Sequence, residues 1–180
     1  IYTTLNITAQ KALESNIKKV SSVDDSLETA KVMISPKDGS IIGLIGGVNY
    51  GKSQFNRVVS SYRQPGSTVK PFLYYRALEN GFTPSTTFFS KKTNFYFDGK
   101  RTYSPSNYGN IYANKEISMA AAIAYSDNIY AVKTHLFLGE EELYNTLKSV
   151  GITSNIEKSP SLTLGTYEVN IMELAKAYAI

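Results

Sequence analysis

The chain has 180 residues, no cysteine and a single histidine, His135. Its length fits one domain or one large piece of a domain, and 19 Lys+Arg against 15 Asp+Glu leave it mildly basic at +4, without the dense basic stripe that nucleic acid requires. Zero Cys excludes thiolate catalysis and cysteine metal sites, one His excludes a two-histidine zinc motif, and no apolar run approaches the roughly 18 residues of a membrane span. The first residue is Ile1, not Met, with no leader pattern, so the chain reads as trimmed at its start.

In chain order, Asn6 or Thr8 is placed to cap a helix carrying Leu5, Ala9, Ala12, Leu13, Ile17 and Val20 at helical spacing, broken at residues 21–25. A hairpin follows: residues 30–34 alternate, Pro36-Lys37-Asp38-Gly39 supplies the turn, and residues 41–45 return. Residues 48–64 read as a polar loop. Gly66-Ser67 opens a helix through Leu78, closed by Gly81 and Pro84. Residues 82–114 read as irregular and aromatic. Helix resumes near Asn114, pauses at Ser126-Asp127-Asn128, runs over 129–138 to a stop at Gly139, and covers 141–150 before Gly151. Thr166 is the expected cap of a last helix over 169–179. Strands come early and helices dominate later. Two strands alone make no stable sheet, so the sheet is expected to be completed from outside this chain.

The chemistry concentrates at Ser67-Thr68-Val69-Lys70. A hydroxyl and an amine at i and i+3 share one helix face, and the free N–H groups of a helix start receive an oxyanion. A serine needs a base to become a nucleophile. Without a well-placed histidine, a lysine whose pKa is depressed by burial or a nearby cation fills that role. The spacing alone is weak, because Ser15-Asn16-Ile17-Lys18 also matches, there as an amphipathic helix with solvated Lys. Ser67 differs: Gly66 permits a sharp entry, and Pro71 is tolerated only near a first turn. Ser126-Asp127-Asn128 between two helical segments is, alone, an ordinary helix-capping cluster. Together with Ser67 and Lys70 it completes two parts of the S-x-x-K, S-D-N, K-T-G set of penicillin-binding proteins and class A β-lactamases. His135 on an apolar helix reads as structural, and Arg57 and Arg63 as pins of their loop. The Tyr-rich stretch 95–112 suits a groove or plain packing.

The chain resembles the transpeptidase domain of class A (bifunctional) penicillin-binding proteins. The likeness rests on Tyr2-Thr3-Thr4-Leu5 with Gln10, Gly46-Gly47, Gln54-Phe55-Asn56-Arg57, and Arg63-Gln64-Pro65-Gly66-Ser67 with Lys70-Pro71-Phe72. It continues through Pro105-Ser106-Asn107-Tyr108, Ser126-Asp127-Asn128 and Leu164-Gly165-Thr166 with Glu168-Val169. It implies an α/β fold, an antiparallel sheet against helices with a mostly helical subdomain. It implies further that Ser67 attacks the D-Ala–D-Ala carbonyl of a peptidoglycan stem peptide, Lys70 accepts its proton, and Ser126 relays a proton to the leaving group. Asn128 binds the substrate amide and helps hold Lys70. No metal, cofactor, nucleic acid or membrane contact by this segment is implied; β-lactams are implied as substrate mimics.

Two departures set further expectations. No Lys is followed by Thr/Ser-Gly, so the third motif is absent, and residues 1–180 are expected to be a partial domain whose partner is the missing C-terminal part. The family's glycosyltransferase domain and membrane anchor, which hold the protein at the extracytoplasmic face of the bacterial membrane, would precede Ile1. The rival readings are a β-lactamase or DD-carboxypeptidase and a non-enzymatic β-lactam sensor. Glu168, expected at the start of a helix rather than on a loop, speaks against the β-lactamase.

Overall fold

The structure is a computed structural model describing residues 2–21, 26–97 and 101–180. Helix α1 spans Ile7–Ser21, opened by the Asn6 side chain, which accepts from Ala9 N at 3.0 Å. The expected break over 21–25 falls outside the described residues from 22 onward. The hairpin forms as expected: β1 (Lys31–Ile34) pairs antiparallel with β2 (Ile41–Ile45), and Gly39 takes φ +69° in the turn. The stretch read as a polar loop instead carries α2 (Arg57–Ser60) and β3 (Tyr62–Arg63). One turn of helix has no period to read; what fixes it is Asn56, whose side chain accepts from Val58 N at 3.1 Å. A 3-10 turn over Gly66–Val69 runs into α3 (Lys70–Glu79). Pro71 sits in the first turn of α3, where its missing N–H costs no bond.

Residues 82–114 are less irregular than they read. They hold β4 (Thr87–Ser90), β5 (Phe95–Phe97) and β6 (Arg101–Tyr103), and β7 (Lys115–Ser118) follows. β5 pairs with β6, and β4 with β7 from Thr87↔Ser118 to Ser90↔Lys115. Helix therefore begins not near Asn114 but at Met119, as α4 (Met119–Tyr125), where Ser118 Oγ accepts from Ala121 N at 3.2 Å. α5 (Asn128–Leu138) and α6 (Glu140–Ser149) follow, then a 3-10 turn over Leu162–Leu164. β8 (Val169–Asn170) pairs with β3. The last helix, α7 (Ile171–Ala177), is capped by Asn170, which accepts from Glu173 N at 2.9 Å. Thr166 does not cap it; its hydroxyl lies 3.0 Å from Ser161 Oγ. Strand is thus spread along the chain, in four two-stranded pairings among the described residues.

The chain divides into two compact units. The first comprises residues 1–63, 148–155 and 168–180. Here α1 lays Leu13 and Ile17 inward beside β2, and Leu13 sits so close to Gly43 that a Cβ there would come within 2.9 Å of it. The Gln10 carboxamide accepts from Leu44 N at 2.9 Å and donates to Leu44 O at 3.1 Å, as a neighbouring strand would. α7 packs against β1 and α2, and Glu173 accepts from the backbone N–H and hydroxyl of both Thr153 and Ser154. The second unit comprises residues 64–147 and 156–167. Its centre is α5, apolar nearly all round, with Ile129, Tyr130, Ala131 and Val132 at 0% exposure against α3 and β4. Phe88 lies edge-on to Tyr130 at 5.2 Å and Phe82 to Phe137 at 5.3 Å, a geometry that adds about 0.5–1.5 kcal/mol per pair beyond the buried area. His135 is wholly buried in α5, with Nε2 3.0 Å from Ser159 O.

Candidate active site

The four residues singled out by pattern all lie in the second unit. Ser67 is the second residue of the 3-10 turn and is exposed. The turn is reached through Gly66 at φ +57°, a conformation that glycine adopts without cost. Gly165, at φ +63°, lies flat against it: a Cβ on Gly165 would fall 2.3 Å from Gly66 O and 2.5 Å from Gly66 N. Gly66 N donates to Gly165 O at 3.2 Å, and Gln64 Nε2 to Thr166 O at 3.0 Å. Thr68 N donates to Pro65 O at 3.3 Å, whereas no such bond takes the Ser67 N–H among the described residues. That donor is open to an anionic oxygen forming at a carbonyl bonded to Ser67.

One turn on, Lys70 is only 4% exposed. Its N–H donates to Ser67 O, and Nζ donates to Asn128 Oδ1 at 2.6 Å, Ser126 O at 2.8 Å and Ser126 Oγ at 3.1 Å. Three acceptors match the three protons of an ammonium group. None of these bonds goes to the Ser67 hydroxyl. Burial pushes the Lys70 amine down to about 8, opposed by the Asp127 carboxylate, so roughly a tenth of it is neutral at pH 7. Depression comes from desolvation and not from a neighbouring cation.

Ser126 and Asn128 are presented by the junction of α4 and α5. Ser126 takes the left-handed conformation, φ 54° and ψ 43°, which is costly for a residue with a Cβ. Asp127 is buried and caps α5, accepting from Tyr130 N at 2.7 Å and from the Ser90 hydroxyl. Asn128 Nδ2 donates to Ser106 O at 2.7 Å, which turns Oδ1 toward Lys70. Ser67, Ser126 and Asn128 line a cleft of about 440 Å³ with Ser106, Tyr108 and Tyr125. Ser67, Lys70 and Ser126 line a second, more apolar cleft of about 370 Å³ with Pro71, Tyr74 and Met119. Ser67 thus stands where both clefts meet, and the chain groups a hydroxyl at a helix start, a desolvated amine and a second hydroxyl in one place.

The other candidates separate from this group. Ser15 lies mid-helix on the exposed side of α1. Arg57 meets Glu28 at 3.3 Å and donates to Phe55 O at 3.2 Å, and Arg63 donates to Tyr62 O at 2.9 Å, each pinning its own segment. From the Tyr-rich stretch, Tyr108 reaches a cleft wall. Glu168 lies in the loop before β8 and not at a helix start, because the helix begins at Ile171. Asn107, Asp127 and Gly165 were legible as parts of family segments but not as contacts. Nothing in their spacing shows that they touch the site.

A helix-start serine with a buried lysine one turn later and an SDN junction against it defines a class of serine acyltransferase sites. The chain belongs to the penicillin-binding protein transpeptidase family: residues 29–178 match the penicillin-binding protein transpeptidase domain. It is 46% identical over 181 residues to penicillin-binding protein 2D of Bacillus subtilis, covering 100% of this chain and 26% of that protein. To penicillin-binding protein 1A of Aquifex aeolicus it is 36% identical over 160 residues, covering 86% of this chain and 21% of that protein. The crystal structure of penicillin-binding protein 1A from Haemophilus influenzae aligns with a TM-score of 0.78 at 29% identity, over 84% of this chain and 23% of that one. The chain spans about a quarter of the length of the curated relatives it matches. Family and fold are those the motifs led one to expect.

Proposed function

We propose that Ser67 is the nucleophile of a DD-transpeptidase that cross-links peptidoglycan stem peptides and is acylated by β-lactams. The observation that carries this reading is Lys70 Nζ, buried and held 2.6–3.1 Å from Asn128 and Ser126, one turn from an exposed helix-start serine. In its neutral form Lys70 releases a lone pair toward Ser67 and takes the Oγ proton. Ser67 Oγ bonds to the carbonyl carbon of the penultimate D-Ala, and the oxyanion faces the Ser67 N–H. The intermediate collapses by breaking the C–N bond. The leaving amine takes the Ser126 hydroxyl proton, which Lys70 replaces. An amine of a second stem peptide then attacks the acyl carbon, the C–O bond to Ser67 breaks, and the amine's proton passes by way of Lys70 to Ser67 Oγ. Asn128 Nδ2 and Oδ1 hold the substrate amide and Lys70.

A Lys-Thr/Ser-Gly strand is not in this sequence, so the second oxyanion donor comes from another segment of the parent polypeptide. Lacking one such donor costs roughly 10²–10³ in rate, and residues 1–180 alone are accordingly poor acylators. The reading places the domain outside the bacterial cell membrane, where stem peptides lie, in a parent that also carries a peptidoglycan glycosyltransferase. No helix among the described residues is long and apolar enough to cross a membrane. The test is to incubate the complete parent polypeptide with fluorescent benzylpenicillin and map the adduct. We expect one label, on the peptide containing Ser67, and none in Ser67→Ala. A label on Ser15, or labelling that survives Ser67→Ala, overturns the reading.

A further inference from the structure

A hydrogen-bond network beside the lysine, at the wall of the Ser67 cleft, carries the inference furthest. Every helix start leaves N–H groups without intrahelical acceptors. At α5 the third of these, Tyr130 N, goes to Asp127, the local cap. The first two go to a residue 21 and 22 positions upstream: Asn107 Oδ1 accepts from Asn128 N at 2.8 Å and from Ile129 N at 3.3 Å. The Asn107 amide is also fixed on its other side. Nδ2 donates to Asp127 Oδ2 at 2.7 Å and to Ile111 O at 3.0 Å. Asp127 is locked further by the Ser90 hydroxyl. One half-buried carboxamide therefore holds the backbone N–H of Asn128 and of Ile129 and the side chain of Asp127, the residues around the one whose Oδ1 holds Lys70 Nζ. Ser106, its chain neighbour, holds the opposite end of the Asn128 amide. All four bonds of Asn107 are made, so it has no capacity left to bind substrate itself.

We propose that Asn107 is a positioning residue of the site: by holding Asn128, Ile129 and Asp127 it keeps Asn128 Oδ1 and Ser126 against Lys70 Nζ and keeps water from the amine. The proposal rests on the reading of Ser67 and Lys70 as nucleophile and base. Its consequence is electrostatic as well as geometric. With the clamp gone, the α4–α5 junction loosens, water reaches Nζ, and the desolvation that depresses Lys70 fades. Asp127 is the charged group acting on Lys70, and it favours the ammonium form in either case.

The experiment measures acylation rate against pH in the complete parent polypeptide, for the natural sequence, Asn107→Ala and Asn107→Asp. In the natural protein the rate climbs to a plateau with a midpoint near 8, the Lys70 value. Asn107→Ala is expected to slow acylation on the order of 100-fold, the cost of a small misplacement of reacting groups. Its midpoint moves up from about 8 toward the ordinary lysine value of 10.5. A slower variant with an unmoved midpoint means the residue serves stability alone, and overturns the proposal, as does an unchanged rate. If Asn107→Ala does not fold, Asn107→Asp decides. It keeps the acceptor for the two amides but sets a carboxyl against Asp127, and its midpoint also rises; an unmoved midpoint overturns the proposal. Amide exchange on the natural protein stands apart from both variants. The Asn128 and Ile129 amides should exchange as slowly as the middle of α5, and rapid exchange overturns the clamp. Absence of any label on Ser67 in the natural protein would instead remove the functional reading, while the exchange data still judged the clamp.

Discussion

Lys70 shows how burial changes the protonation of an ordinary residue. A lysine at 4% exposure loses water's stabilisation of its charge, and Asp127 only partly restores it. Three acceptors hold the ammonium form, so in the proposed role the proton is released before Lys70 can act as a base. Below about 8 the neutral fraction, and with it the acylation rate, should fall tenfold per pH unit; above it the rate levels off. Lys70→Arg keeps a donor fork but never deprotonates. Acylation in that variant is expected to drop by at least ~100-fold, the lower end of general-base contributions, with stopped-flow penicillin binding as the check. Near-normal acylation would reject Lys70 as the base. That Ser67, Lys70, Ser126 and Asn128 lie together was legible in the sequence, because the motif pair fixes both their types and their spacing. The αL twist at Ser126 was not. A serine between two helices reads as a cap, and only the backbone shows that it closes α4 in a strained conformation while aiming both oxygens at Lys70.

At the level of elements, legibility depended on a local turn or period signal as well as on the distance between partners: one-turn α2 and the short β5–β6 pairing carry no period to read. The hairpin of β1 and β2 was readable because its turn lies between its strands. β4 and β7 were not, since Thr87 pairs with Ser118 across a stretch with no alternation of its own. Caps behaved likewise: of the two expected at α1, Asn6 is the cap, but at α7 the cap is Asn170, the end of β8, and not the expected Thr166. The 3-10 turn carrying Ser67 depends on a second element that spacing does not reveal. Gly165 presses on Gly66 so closely that no side chain fits. Gly165→Ala must both adopt φ +63° and move the Gly66 backbone, so a loss of roughly 1–3 kcal/mol is expected. Acylation should fall by more than the folded fraction alone explains. Urea denaturation and labelling of the same samples separate the two effects. A Gly165→Ala protein of natural stability and rate would show that the close approach has no bearing on Ser67.

For the molecule as a whole, the least expected liability is acid. His135 is buried in α5, and a carbonyl accepts from its Nε2, so the proton sits there and Nδ1 is left bare with no partner among the described residues. Burial pulls its pKa below the ordinary 6.5. As pH falls through 6.5 the unfolded chain takes the proton first, so stability is present above that value and is lost below it. The slope approaches about 1.4 kcal/mol per pH unit until the folded histidine also titrates. Glu173, Glu79 and Asp38 are also depressed, but they act only below the ordinary carboxylate range, so the windows are distinct. Urea midpoints between pH 7.5 and 5 should fall for the natural protein and stay flatter for His135→Gln. Equal slopes would assign the acid lability elsewhere.

The Gln10 carboxamide at Leu44 has a consequence for solubility. Strand β2 presents a row of main-chain groups that would otherwise template another copy of the molecule, and exposed edges of this kind invite polymerisation. Gln10 shields Leu44, and the backbone of Asn6 and hydroxyl of Thr4 shield Ile42 O and Ile41 O beside it. The hairpin is therefore a zipper closed on its β2 side at Ile41 O, Ile42 O and both main-chain groups of Leu44, which leaves fewer groups there for a further strand. Gln10→Ala opens one tooth without touching Ser67. It should leave penicillin labelling per folded molecule intact while particle size in light scattering grows with protein concentration; a variant as monodisperse as the natural protein would mean the edge was never a hazard.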